Sequence, residues 1–179
     1  MSRHRLARAP RAPGVIRTNQ LPFLDRPGAR IHFETLGAGD AVALLHGFAS
    51  SFYPTWVDTG WVGSLLDDGF RVVGIDARGG EDVELETLAE DVVAVLDASW
   101  IVRAHLIGFT LGAGVAVRTA LDHSRRVGAV VAIGPLAHPG LECGVVPVLA
   151  IEAGRDIGVL YDPRMRDRAV AFLRDHPLS

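Results

Sequence analysis

Residues 104–112 read Ala-His-Leu-Ile-Gly-Phe-Thr-Leu-Gly. Ala104 to Phe109 form a short, nearly continuous apolar run, as expected of a strand covered on both faces. A helical stretch from Leu111 to about His123 follows at once. The turn Gly108-Phe109-Thr110-Leu111-Gly112 therefore joins a buried strand directly to a helix, and it sets the reading of everything around it.

The same alternation continues outward in both directions. Upstream, residues 71–75 (Arg-Val-Val-Gly-Ile) predict a buried strand ending at Asp76. A helix from about Leu85 to Ala98 follows, with Leu85, Leu88, Val92 and Leu96 on one face. Glu84, Glu90 and Asp91 are read onto its other faces. Before these, residues 41–45 (Ala-Val-Ala-Leu-Leu) are a second apolar run, ending at His46-Gly47. A short helix over 60–68 is stopped by Gly69, and residues 30–36 alternate apolar and polar as a half-exposed strand does. Downstream, residues 127–133 and 145–151 predict two more buried strands, and a helix runs from about Arg164 to Arg174. Strands alternating with helices imply a three-layer α/β domain, with a mostly parallel sheet and helices on both faces.

At 179 residues the chain suffices for one domain with a real core. Residues 26–179 are read as that domain. Residues 1–25 are read as a basic flexible tail, because Arg3, Arg5, Arg8 and Arg11 precede any acid and Pro10 and Pro13 interrupt the segment. All 18 basic residues are arginine, which removes Schiff-base chemistry, a Ser-Lys dyad and a lysine-dependent phosphate loop. The net charge of −3 gives no global case for nucleic acid or anionic membranes. No run approaches the roughly 20 apolar residues of a membrane span. The lone Cys143 allows no intramolecular disulfide, and a cytoplasmic location is expected. Cys143 precedes the strand at 145–151 and so lies away from the elbow. No metal-ligand spacing such as His-Glu-x-x-His occurs, and no cofactor is expected.

Function in such a sheet gathers at the carboxyl ends of the strands. Four of those ends carry informative residues: His46-Gly47-Phe48, Asp76-Ala77-Arg78-Gly79, Gly108-Phe109-Thr110-Leu111-Gly112 and Gly154-Arg155-Asp156. Together, over residues 30 to about 156, they resemble the α/β-hydrolase superfamily, and most closely its esterase, haloperoxidase and epoxide-hydrolase-like members. The resemblance implies a nucleophile elbow of the form Gly-x-Ser-x-Gly. Here both glycines stand, as Gly108 and Gly112, and the nucleophile position is Thr110. A threonine hydroxyl can attack a carbonyl, but a β-branched residue is costly at the strained angles of an elbow.

Carried over position by position, the resemblance places oxyanion donors at the backbone N–H groups of Phe48 and Leu111. His46 and Gly47 shape that loop as binding residues. Asp156 stands where the family keeps the acid that orients its histidine, although Gly154 precedes it by two residues where the family has three. No histidine follows Asp156 before the last helix, so the last family strand is expected to be missing. His176 falls beyond the far end of that helix. His138, a few residues after the strand at 127–133, is the candidate base. The family's cap is replaced by a loop of about ten residues (135–144), giving a lidless site. Phe52, Tyr53, Trp56 and Trp61 either line the entrance or pack the first helix. Two functions stay open: hydrolysis of small carboxylic esters through Thr110, or non-catalytic binding of a small ester, acyl ligand or partner. The oligomeric state is not legible.

Overall fold

The computed structural model describes residues 23–79, 83–135 and 145–178. Seven strands form one sheet in the order β1-β2-β4-β3-β5-β6-β7. They are β1 (Phe23–Arg26), β2 (Ala29–Leu36), β3 (Ala41–Leu45), β4 (Arg71–Asp76), β5 (Ala104–Phe109), β6 (Val127–Gly134) and β7 (Val148–Glu152). The five from β3 to β7 are mutually parallel, while β1 and β2 form an antiparallel hairpin that adds to the edge of β4. Four α-helices cover the sheet: α1 (Trp61–Asp67), α2 (Leu85–Ala98), α3 (Leu111–Asp122) and α4 (Pro163–Arg174).

Strand residues alternate between two cores. Ala43, Leu45, Leu106, Val130 and Ala132 enter the core under α2 and α3. Val42, Leu44, Ile107, Val131 and Ile133 enter the core under α1 and α4. Each central strand thus meets apolar surface on both faces, which is why its sequence is a continuous apolar run. Phe52, Trp56 and Trp61 are buried in the second core, with Trp56 edge-on to Trp61 at 5.4 Å. The Trp61 indole donates to the carbonyl of Leu160 at 3.0 Å. These three aromatics are packing rather than an entrance lining.

Three sequence expectations are corrected. Residues 23–25, read as the end of the tail, belong to strand β1 (Phe23–Arg26), which pairs with β2 across the turn at Pro27-Gly28. β7 begins at Val148 and not at Val145, which is 86% exposed. Pro147 has no N–H to give the ladder, and only its carbonyl joins, accepting from Val130. Asp91, read onto an outer face of α2, is 2% exposed and accepts hydrogen bonds from Arg26 and Arg78. His138 and Cys143 lie outside the described residues, as does the tail before Phe23.

Candidate active site

The elbow forms where the sequence places it. β5 ends at Phe109, α3 begins at Leu111, and Thr110 between them holds φ 50° and ψ −106°. A β-branched residue at positive φ costs on the order of 1–3 kcal/mol, so its surroundings must impose it. They do so from both sides. The Thr110 N–H donates to the Ile133 carbonyl of β6 at 2.8 Å, and its own carbonyl accepts from Ala113 at 3.1 Å and Gly114 at 3.3 Å. The flanking glycines are a steric requirement. A methyl group on Gly108 would collide with the Gly112 carbonyl, and one on Gly112 with the Leu45 carbonyl.

The loop after β3 closes over the elbow, and a methyl on Gly47 would strike the Thr110 hydroxyl. His46 fixes this loop. The Ala77 N–H donates to His46 Nε2 at 3.0 Å, so that nitrogen carries no proton. Nδ1 then holds the proton and donates to the Gly47 carbonyl at 2.7 Å. Both ring nitrogens are engaged, which leaves His46 as a neutral brace and not a base. Because the Gly47–Phe48 peptide is trans, tying its carbonyl to His46 turns the Phe48 N–H the opposite way. Asp76 supports the same loop: one carboxylate oxygen accepts from the Phe52 N–H at 2.6 Å and the other meets His32 Nδ1 at 2.8 Å.

An open cleft of about 400 Å³ lies over the elbow, lined by Phe48, Thr110, Leu111, Pro135 and Arg155. Leu111 opens α3, so its N–H has no intrahelical acceptor. Phe48 is 61% exposed at the rim. The structure therefore brings together Thr110, Phe48, Leu111, Gly47 and His46. Arg155 was not singled out from the sequence, although it sits between two residues that were. Its signal was its position beside a strand-end loop.

Asp156 occupies the same loop, but its carboxylate accepts from the Gly158 N–H at 2.6 Å and caps a 3₁₀ turn at Ile157–Tyr161. None of the described histidines lines the cleft. His32 is bound to Asp76, and His123 meets Glu90 at 3.0 Å. His176 meets the Phe172 carbonyl at 2.8 Å. His105 is buried at the start of β5, at the other end of the strand from the elbow. Pro135 lines the cleft, and His138 lies outside the described residues. Among the described residues, no group of three or more His, Cys, Asp or Glu side chains could hold a metal, and no helix is long and apolar enough to cross a membrane.

Comparison with known proteins relates this chain to the alpha/beta hydrolase fold family. A family model described as alpha/beta hydrolase fold matches residues 40–174. Bifunctional epoxide hydrolase 2 of Rattus norvegicus is 33% identical over 134 residues, covering 69% of this chain and 24% of that protein. The 2-hydroxy-6-oxo-6-phenylhexa-2,4-dienoate hydrolase of Comamonas testosteroni is 29% identical over 119 residues, covering 59% of this chain and 40% of that protein. The chain thus spans less than half the length of these relatives. Among solved structures, epoxide hydrolase A of Mycobacterium thermoresistibile matches with TM-score 0.56 and 26% identity, over 63% of this chain and 38% of that one. A predicted CIB-like hydrolase of Thermoplasma acidophilum matches at TM-score 0.72 over 90% of this chain and 100% of that one; at 17% identity this shows a shared fold.

Proposed function

The chain belongs to the α/β hydrolase fold family, and from that premise we propose that it hydrolyses small carboxylic esters through Thr110. The observation that carries this reading is the elbow itself. A threonine held at φ 50° and ψ −106° is an expensive backbone state, retained at the floor of an open cleft. In the proposed reaction Thr110 Oγ1 attacks the ester carbonyl and gives its proton to His138. The oxyanion accepts hydrogen bonds from the Phe48 and Leu111 N–H groups. The alkoxide leaves with that proton as an alcohol, and water then cleaves the acyl-threonine to free acid. Asp156 orients the base. From Pro135, three residues of extended chain span about 10 Å, a reach that supports His138 in this role.

Arg155 adds a preference. Arg155 lines the cleft, and its cationic side chain favours an acyl group bearing its own carboxylate over a neutral one. The dienoate hydrolase to which the chain is similar is named for a compound that carries a carboxylate, although that compound is a ketone and not an ester.

A second reading has its own support: Asp156 is engaged as a cap, and no described histidine lines the cleft. On that reading the cleft binds an acyl ligand without turning it over. Turnover of short p-nitrophenyl esters by wild type, Thr110→Ala and Thr110→Ser separates the two. Ester hydrolysis requires wild-type turnover that Thr110→Ala abolishes and His138→Ala sharply reduces. Equal background rates in wild type and Thr110→Ala would establish the binding reading. Turnover confined to Thr110→Ser would identify a competent scaffold silenced at one position.

A further inference from the structure

A second cleft, of about 410 Å³, lies at the opposite rim of the sheet, where the parallel strands begin. Three arginines line it: Arg71 at the start of β4, Arg103 just before β5 and Arg125 just before β6. Each arrives at the amino end of a parallel strand, β4, β5 or β6, with β3 between the first two, so the topology itself collects them. Elsewhere Arg26, Arg30, Arg78, Arg118, Arg126 and Arg174 each meet a carboxylate. Among the described residues, Arg71, Arg103 and Arg125 form no such ion pair, and neither do Arg155, Arg164, Arg166 and Arg168; what sets the first three apart is that they are gathered in one cleft. Arg71 donates one Nη2 bond to the Ser99 carbonyl at 3.1 Å, and Arg103 donates Nε to the Val127 carbonyl at 3.3 Å. Those bonds anchor the two guanidiniums, and among the described residues neither makes a further hydrogen bond. The single acid in the lining, Asp40, accepts from the Leu178 N–H through Oδ2.

Trp100 stands in the same lining. It follows the last turn of α2 at φ 56°, a position where a helix usually ends in glycine. A bulky aromatic residue pays steric strain there, and this one is also 87% exposed. Strain and an unburied indole coincide at one residue, beside three arginines that share the cleft with a single acid and pair directly with none.

We propose that this cleft binds a phosphate-bearing ligand with a planar ring, of the nucleotide class. The guanidiniums take the phosphate oxygens in the paired geometry that favours arginine over other cations. The indole offers a stacking face to the ring. The volume suits a ligand of this size. The cleft lies at the far end of the strands from Thr110, roughly 20 Å away for a six-residue strand, so this inference stands or falls apart from ester hydrolysis.

ATP serves as the probe, with adenosine and inorganic tripolyphosphate as its two halves. Trp56 and Trp61 are fully buried, so indole fluorescence accessible to a ligand comes from Trp100. At low ionic strength ATP should quench it saturably, with a dissociation constant below about 1 mM confirmed by calorimetry. Adenosine and tripolyphosphate should each bind about tenfold more weakly. Arg125→Glu breaks no described contact; its unchanged thermal midpoint should accompany an affinity loss of about tenfold or more. Absence of saturable ATP binding overturns the proposal, as does undiminished binding by Arg125→Glu. Tripolyphosphate binding as tightly as ATP overturns the role given to Trp100.

Discussion

Asp91 and His105 are both buried polar side chains, 2% and 0% exposed, and the fold treats them in opposite ways. Asp91 is surrounded by donors. Arg78 gives it two hydrogen bonds, at 2.6 and 2.8 Å, and Arg26 a third at 3.0 Å. Arg78 also donates to the Pro27 carbonyl at 3.0 Å, so one carboxylate ties the β1–β2 turn, the segment after β4 and helix α2 together. Its bond to Asp91 holds the Arg78 guanidinium above its ordinary pKa. His105 has no such company. Neither ring nitrogen has a hydrogen-bond partner among the described residues, and the ring lies edge-on to Phe70 at 6.3 Å. Burial pushes its pKa down to about 4, against the opposing pull of Asp40. A charge is kept inside only where counter-charges surround it, while an unpartnered imidazole stays inside by remaining neutral.

The sharpest way to break this contrast is to remove the acid. Asp91→Ala leaves two guanidiniums facing a pocket without a counter-charge, and should cost about 3–5 kcal/mol in chemical denaturation. A loss below about 1 kcal/mol would mean that water replaces the carboxylate and that the cluster is ornamental to stability.

Acid comes next in size. The His105 pKa falls from 6.5 to about 4 on folding. Between those values the unfolded chain takes up a proton that the folded chain refuses. Stability from this residue is therefore intact above pH 6.5, declines as pH falls, and is fully lost below about pH 4. The change is about 3 kcal/mol from the pKa difference. His105→Leu should flatten the stability profile across that window, and identical slopes in variant and wild type would refute the assignment.

The smallest effect tests how the cluster is divided. Arg26→Ala removes one of the three bonds and leaves both from Arg78, so it should cost only about 1 kcal/mol. A cost equal to that of Asp91→Ala would show that the hairpin strand, and not the carboxylate, is what the cluster holds in place.

The sequence made the elbow legible because two periodicities meet there: a buried strand ends at Phe109 and a helix starts at Leu111, with glycines where only glycines fit. The ends of α2 were legible for the same reason. Asp91 was not, because its charge outweighed its spacing. It lies three residues after Leu88 and four before Val95, both buried, which places it inside the apolar stripe. Two arginines upstream supplied the reason for an acid there, but contacts between residues 26, 78 and 91 depend on the sheet order. β1 was hidden by the arginines and prolines before it. A histidine partner for Thr110 was not legible for a different cause: no spacing rule places a histidine beside an elbow when none follows Asp156 before the last helix.

One consequence of the glycines around Thr110 concerns how the chain finds its register. In a strand with one wet face, a slip of one residue puts apolar groups in water and is rejected on hydrophobic grounds. β5 has no wet face, since Leu106 and Ile107 serve opposite cores and either core would accept the other's residue. Hydrophobicity alone therefore does little to proofread its alignment. The Gly108–Gly112 contact supplies the missing check. Slipping the strand by one residue would set Ile107 or Phe109 against a carbonyl that tolerates not even a methyl. The pair that leaves room for the turn at Thr110 thus also serves as the ruler against which the central strand is measured.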